Sequence, residues 1–271
     1  MVMIDRKELG KEDFELVKEG DFYIIRNGNN LFNIKKDEWD SRILGINLYK
    51  INKIELDSFD DNLIKRFLDF IKSKFNDIHC IIYRTEATNF GLINILQKNR
   101  FTLVGMPIKL SVDLREIKGN NLESNVRLSK NEDVNILALM ARNSFLNAYR
   151  YNDKNLDKNK VDDLYSEWIK NSCNGRANAV LVHEINKILS GFIACNINGD
   201  TGLIDLIAVA KEARGQGIGQ KLVLNSLAWF KDKVSRVEVY TEAMNYPSLK
   251  MYQNNGFKIY CIGVNLNYWF R

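Results

Sequence analysis

"GLIDLIAVAKEARGQGIGQKLVLNSLAWF" runs from Gly202 to Phe230 and holds three glycines within five residues, Gly215, Gly217 and Gly219. The branched, nearly continuous apolar run Gly202 to Ala210 reads as a central strand covered on both faces. Beyond the glycines, apolar residues at 222, 223, 227 and 230 share one face of a helix. Glycine between a strand and a helix permits positive φ and clears side chains from the path of an anion. The loop amides and the unpaired amides of the first helical turn then point at one spot with partial positive charge, a phosphate site.

The pattern narrows the phosphate ligand. A Walker loop ends in Gly-Lys-Ser/Thr, whereas Gly219 is followed by Gln220. The dinucleotide pattern G-x-G-x-x-G fails because Leu222 stands where the third glycine belongs. The residues spell R-x-x-G-x-G, from Arg214 through Gly217 to Gly219, five residues after Val209.

An internal repeat organises the chain. "TEATNFGLINILQKNRF" (Thr85 to Phe101) lies over "TEAMNYPSLKMYQNNGF" (Thr241 to Phe257) at an offset of 156, with seven of 17 positions identical, Asn89/Asn245 and Glu86/Glu242 among them. Each copy lies between apolar segments, which predicts strand, short helix, strand, twice. The copies differ in chemistry: Leu96 corresponds to Tyr252, and the first copy has no counterpart of the glycine loop. One active half and one structural or substrate-contacting half follow. The boundary is placed in the polar "REIKGNNLESN" (Arg115 to Asn125), giving units 1–122 and 126–271. At the start of the second unit "VRLS" reads as a strand and "SKNE" as a capping box in which Ser129 caps a helix and Glu132 reaches back.

The 271-residue chain is 45% hydrophobic, as expected of a globular protein. It has no apolar run long enough to span a membrane, and its charged N-terminus does not read as a signal peptide, so the expectation is a cytoplasmic protein with no membrane partner. The four cysteines and two histidines show no metal-ligand spacing, so the thiols read as buried and no metal is expected. A net charge of +5 from 39 basic and 34 acidic residues suits a phosphate-bearing ligand and falls short of a nucleic-acid-binding face.

R-x-x-G-x-G after an apolar strand, followed by an Asn seven residues before a Tyr on a later helix, resembles the Gcn5-related N-acetyltransferase (GNAT) family. The resemblance implies an α/β (α+β) GNAT fold with splayed central strands, preceded here by a degenerate GNAT-like N-terminal half. It implies acetyl-CoA as co-substrate, with its pantetheine on Ile207, Ala208 and Val209 and its pyrophosphate on Arg214, Gly215, Gln216, Gly217, Ile218 and Gly219. Asn245 would lie beside the coenzyme arm and Tyr252 at the leaving sulfur, as general acid. "WDSRILG" (Trp39 to Gly45), "LYSEWIKNS" (Leu164 to Ser172) and the closing "YWFR" look like the sugar-nucleotide branch. Its members acetylate the 4-amino group of a dTDP-linked deoxysugar such as dTDP-fucosamine (dTDP-4-amino-4,6-dideoxygalactose). The acceptor is then a small-molecule amine, a dTDP-linked amino sugar.

Plainer readings stand beside each residue. Leu249, Tyr252 and Gly256 share a helical face, so Tyr252 can simply pack; Asn245 can be a helix-start residue ahead of Pro247. Asp205, Glu238 and Glu242 are all candidates for the general base, and each is also an ordinary salt-bridged or solvated strand residue. A peptide or ribosomal-protein N-terminal acetyltransferase and a non-catalytic acyl-CoA binding module remain the alternative functions. The aromatic end "NYWF" reads either as a homodimer interface or as a cover for the sheet.

Overall fold

The computed structural model describes residues 14–117, 125–142 and 144–270. The chain forms two compact units, residues up to 103 together with the segment from 265 onward, and residues 104–264. The first contains β1 (Glu15–Glu19), β2 (Phe22–Asn27), β3 (Asn30–Lys36), α1 (Glu38–Leu44), β4 (Leu48–Glu55), α2 (Asp61–Lys74), β5 (Cys80–Glu86) and α3 (Phe90–Lys98). The division falls inside β6 (Thr102–Gly105). The second contains β7 (Pro107–Asp113), β8 (Val126–Leu128), α4 (Val134–Arg142), α5 (Tyr149–Asn152), α6 (Lys158–Asn171), β9 (Ala179–Ile185), β10 (Ile188–Asn198) and β11 (Thr201–Val209). It continues with α7 (Ile218–Phe230), β12 (Arg236–Glu242), α8 (Tyr246–Asn254) and β13 (Lys258–Trp269), the end of which belongs to the first unit.

Strands of the first unit follow the order β1-β2-β3-β4-β5, antiparallel except for the parallel pair β4–β5. The last segment of the chain closes this sheet beside β5, with the Phe270 amide donating to the His79 carbonyl at 3.0 Å. In the second unit the order is β8-β9-β10-β11-β12-β7-β13, with β11–β12 parallel. The apolar face of α7 read from the sequence is buried: Leu222, Val223, Leu227 and Phe230 pack with Ile193, Ile204 and Val237 of the sheet and with Tyr252 and Phe257. At 25 cal/mol per Å², each such fully buried side chain contributes about 1.5–3 kcal/mol. On the opposite face α4 packs against β10 and β11, and α6 packs against α4.

The repeat is real in three dimensions. Cys80–Glu86 and Arg236–Glu242 are both strands, Phe90–Lys98 and Tyr246–Asn254 are both helices, and all four boundaries differ by 156. Both helices end alike. The side-chain amide of Asn99 donates to the Ile95 carbonyl at 2.9 Å and that of Asn255 to the Met251 carbonyl at 2.8 Å. The following residue is left-handed in both, Arg100 at φ 68° and Gly256 at φ 86°. Beyond each helix the chain passes from one unit to the other: β7 pairs with β12 and β13 in the second unit, and the end of β13 lies in the first. The compact units therefore divide at residue 103, ahead of the polar stretch 115–125, of which 118–124 lie outside the described residues.

One local expectation is corrected. The carboxylate that reaches back is that of Asp133, which accepts from the Lys130 amide at 2.7 Å, while Glu132 is exposed and pairs with Lys130. A 3-10 turn at Asn131–Asp133 shifts the box by one residue, and Arg127 holds Asp133 from the neighbouring strand. Of the cysteines, Cys80 and Cys195 are buried and Cys173 and Cys261 half-buried. Among the described residues no helix is long and apolar enough to cross a membrane.

Candidate active site

β11 and β12 are in register only from Thr201↔Arg236 to Ile204↔Val239. Past that point β11 stays paired with β10 to Val209, and β12 stays paired with β7 to Glu242, so the two strands separate into a wedge. A β-bulge starts the separation. Ala194 pairs with Leu206 and Cys195 with Ile204, which leaves Asp205 as the extra residue. The bulge also explains why Ile204, Ile207 and Val209 all serve the same core despite the odd spacing between 204 and 207. Ile207, Ala208 and Val209 line the free edge of β11, their side chains half-buried, buried and half-buried.

The loop after β11 is fastened at both ends. The Ala210 amide donates to the Ser190 carbonyl at 2.9 Å, and Nε of the exposed Arg214 donates to the Val209 carbonyl at 3.2 Å. Gly215 and Gly217 adopt φ of 79° and 74°, and a Cβ on either would meet nothing within 4 Å, so here backbone conformation and open space coincide. Gln216 is exposed and donates to the Glu212 carbonyl at 3.4 Å. Gly217 is the N-cap of α7 and supplies no side-chain cap. The first helical bond runs from the Lys221 amide to the Gly217 carbonyl, so the amides of Ile218, Gly219 and Gln220 precede the ladder. Gly219 has a different role: a Cβ there would lie 2.7 Å from Met251 Sδ, so its bareness lets α8 approach the first turn of α7.

α8 begins at the Asn245 cap, whose side chain accepts from the Ser248 amide at 3.4 Å, with Pro247 in the first turn. Tyr252 is 2% exposed and meets the Phe257 ring edge-on at 5.4 Å. Burial first, and then the neighbouring Cys195 thiol, push its phenol above the ordinary range, so the hydroxyl keeps its proton. Leu96, 1% exposed, fills the same place in the first unit, so packing there requires an apolar body but no hydroxyl.

The three carboxylates separate by partner. Glu242 accepts from the Met106 amide at 2.9 Å and serves the backbone. Glu238, its side chain 14% exposed, is ion-paired with Lys109 at 2.8 Å and Arg236 at 3.4 Å. Asp205, at the bulge where the wedge opens, accepts from the neutral indole Nε1 of Trp168 at 2.8 Å. Lys109 escaped the reading of the sequence, and so did the part played by Trp168 within the segment Leu164 to Ser172, because their partners are distant along the chain. The i, i+3 aromatic spacing of Tyr165 and Trp168 was the available signal.

The first unit has the wedge without the loop. β4 and β5 are in register only from Leu48↔Cys80 to Ile51↔Tyr83, and a bulge leaves Asn52 as the extra residue. In place of glycines the connection carries Asp57, Phe59, Asp60 and Asp61. Asp60 caps α2 by accepting from the Asn62 amide at 2.9 Å, and Asp61 adds charge to the first turn. The helix dipole that would attract a phosphate is thus already met by carboxylates.

Residues 142–257 match the family described as "Acetyltransferase (GNAT) family". The chain is 22% identical over 223 residues to the spore coat polysaccharide biosynthesis protein SpsD of Bacillus subtilis (strain 168), covering 81% of this chain and 76% of that one. In fold it is similar to a GCN5-related N-acetyltransferase from Sphaerobacter thermophilus, with a TM-score of 0.65, 11% identity and coverage of 92% and 80%. It is also similar to a tandem GNAT protein from the clavulanic acid biosynthesis pathway, with a TM-score of 0.59, 13% identity and coverage of 95% and 83%. GNAT acetyltransferases in general use acetyl-CoA and act on amine acceptors. Splayed strands, a glycine loop at an uncapped helix and this match together make the protein an N-acetyltransferase, with residues 142–257 similar to the GNAT family.

Proposed function

We propose that the protein transfers acetyl from acetyl-CoA to the amino group of a nucleotide-linked amino sugar by direct attack in a ternary complex. The observation that carries the acetyl-CoA part is the wedge ending in a left-handed glycine pair at an uncapped helix. Free backbone groups of residues 207–209 suit the amides of pantetheine, and the loop at 214–219 suits a pyrophosphate. The sugar acceptor is supported by the likeness to a polysaccharide biosynthesis protein over four-fifths of the chain.

In this reading both reactants are held in one wedge, and positioning supplies much of the acceleration, about 7–11 kcal/mol for ideal geometry. The free edge of β11 near Val209 presents a backbone amide to the thioester oxygen as it gains charge. Asp205 draws the proton from the acceptor ammonium, directly or through water, and Tyr252 donates a proton to the departing thiolate. Glu238 is the less suited candidate because it is already engaged by Lys109 and Arg236.

The test is acetyl-CoA-dependent thiol release, with dTDP-4-amino-4,6-dideoxyhexoses assayed beside peptides and simple amines. Preference for the nucleotide sugars is expected. Turnover confined to peptides would overturn the sugar assignment and leave the coenzyme site standing; silence with every amine would overturn both.

A further inference from the structure

We propose that Trp168 is a positioning residue that orients the Asp205 carboxylate toward the acceptor amine. The inference rests on the reading of Asp205 as the base. The indole Nε1 donates to Oδ2 at 2.8 Å from α6, on the face of β11 opposite the α7 core. Asp205 is the extra residue of the bulge, so the ladder with β10 does not fix its direction, and a side-chain contact has to.

The donor is itself immobilised. Trp168 lies parallel to Tyr165, with centroids 6.2 Å apart and an interplanar angle of 1°. Tyr165 in turn stacks on Phe145 at 4.5 Å. The Arg176 guanidinium covers the indole at 5.1 Å, which fixes the ring by a cation–π contact. The partner that touches the carboxylate is the neutral indole.

That neutrality distinguishes Asp205 from Glu238. An ion-paired carboxylate such as Glu238 has little attraction left for an incoming ammonium, because its lysine partner already supplies the positive charge. A carboxylate held by an indole gains no offsetting charge from that partner and has one oxygen committed, so Oδ1 is the atom offered to the proton. The aromatic row from Phe145 to Trp168 therefore sets the aim of a group on a neighbouring strand.

The experiment is a double-mutant cycle of Trp168→Phe and Asp205→Asn, assayed with acetyl-CoA and whichever amine of the panel turns over fastest. Trp168→Phe keeps the ring and removes the donor. It is expected to lower kcat about tenfold while the KM for acetyl-CoA stays within twofold. In the Asp205→Asn background the same change is expected to alter kcat less than twofold, because the group it serves is gone. A wild-type kcat for Trp168→Phe, or an equal loss in both backgrounds, would overturn the proposal. Asp205→Asn within twofold of wild type would instead overturn the reading of Asp205 as base, and this inference with it. Site-specific replacement of Trp168 by 3-benzothienylalanine, a near-isostere without the N–H, repeats the test if the phenylalanine variant does not fold.

Discussion

Tyr252→Phe separates packing from chemistry at the centre of the site. The substitution keeps the ring that meets Phe257 edge-on at 5.4 Å and removes only the hydroxyl. Leu96 holds the corresponding place in the first unit, 1% exposed, so the fold does not require oxygen there. The stability change should stay within about 1 kcal/mol, or roughly 2–4 °C in the unfolding midpoint of a unit this size. The catalytic change should be large. Burial holds the phenol above its ordinary range, so the proton that the proposed general acid would give is in place at neutral pH and stays there into the alkaline range. Loss of a general acid costs about ten- to a thousandfold in kcat. The assay is steady-state thiol release, together with a direct binding titration of acetyl-CoA, whose Kd should remain within twofold. A kcat within twofold of wild type would refute the general-acid assignment. A midpoint lowered by more than about 10 °C would refute the claim that the ring alone does the packing.

Gly217→Ala should cost about 1–2 kcal/mol in stability and weaken acetyl-CoA binding, since φ of 74° penalises a Cβ although space is open. Gly217→Asn, which tolerates that conformation, should recover most of both in denaturant melts and binding titrations. Gly256→Ala should destabilise by about 1–2 kcal/mol, since φ is 86° and the new Cβ would stand 3.2 Å from Ile117 Cδ1. Arg100→Gly, at the matching position of the first unit, should stabilise by about 0.5–1 kcal/mol by urea unfolding, because it relieves a left-handed arginine at φ 68°. Burial pushes Tyr49 up to about 12, whereas the unfolded phenol ionises near 10. The folded state then binds more protons above pH 10, and stability present below that pH is lost between about pH 10 and 12. Urea midpoints at pH 8, 10 and 11 should show the fall, and Tyr49→Phe should reduce it.

The local features were legible because their causes are local. The strand–glycine–helix order at 202–230 follows from apolar periodicity and from residues that alone adopt positive φ, and both are written into consecutive positions. The repeat at an offset of 156 needed only comparison of the chain with itself, and the element boundaries match that offset. Gly219 shows the limit of such reading: it looks like Gly215 and Gly217 in the sequence, yet its bareness answers to Met251, 32 residues away.

Tertiary structure decided what depends on partners remote in sequence. No spacing rule announces that Asp205 occupies a bulge, because a bulge belongs to a pair of strands and not to one of them. Nor does the sequence distinguish three carboxylates that differ by what reaches them: the Met106 amide at Glu242, Lys109 at Glu238 and an indole at Asp205. The exchange of the closing strands was equally hidden, since β7 and the end of β13 carry the same apolar pattern whichever sheet receives them. Sequence by itself determined the elements, the glycine loop and the duplication, all of which rest on neighbours along the chain. The wedge, the pairing of charges and the orientation of the candidate base came only from folding, because hydrogen-bond partners and sheet neighbours are set by proximity in space.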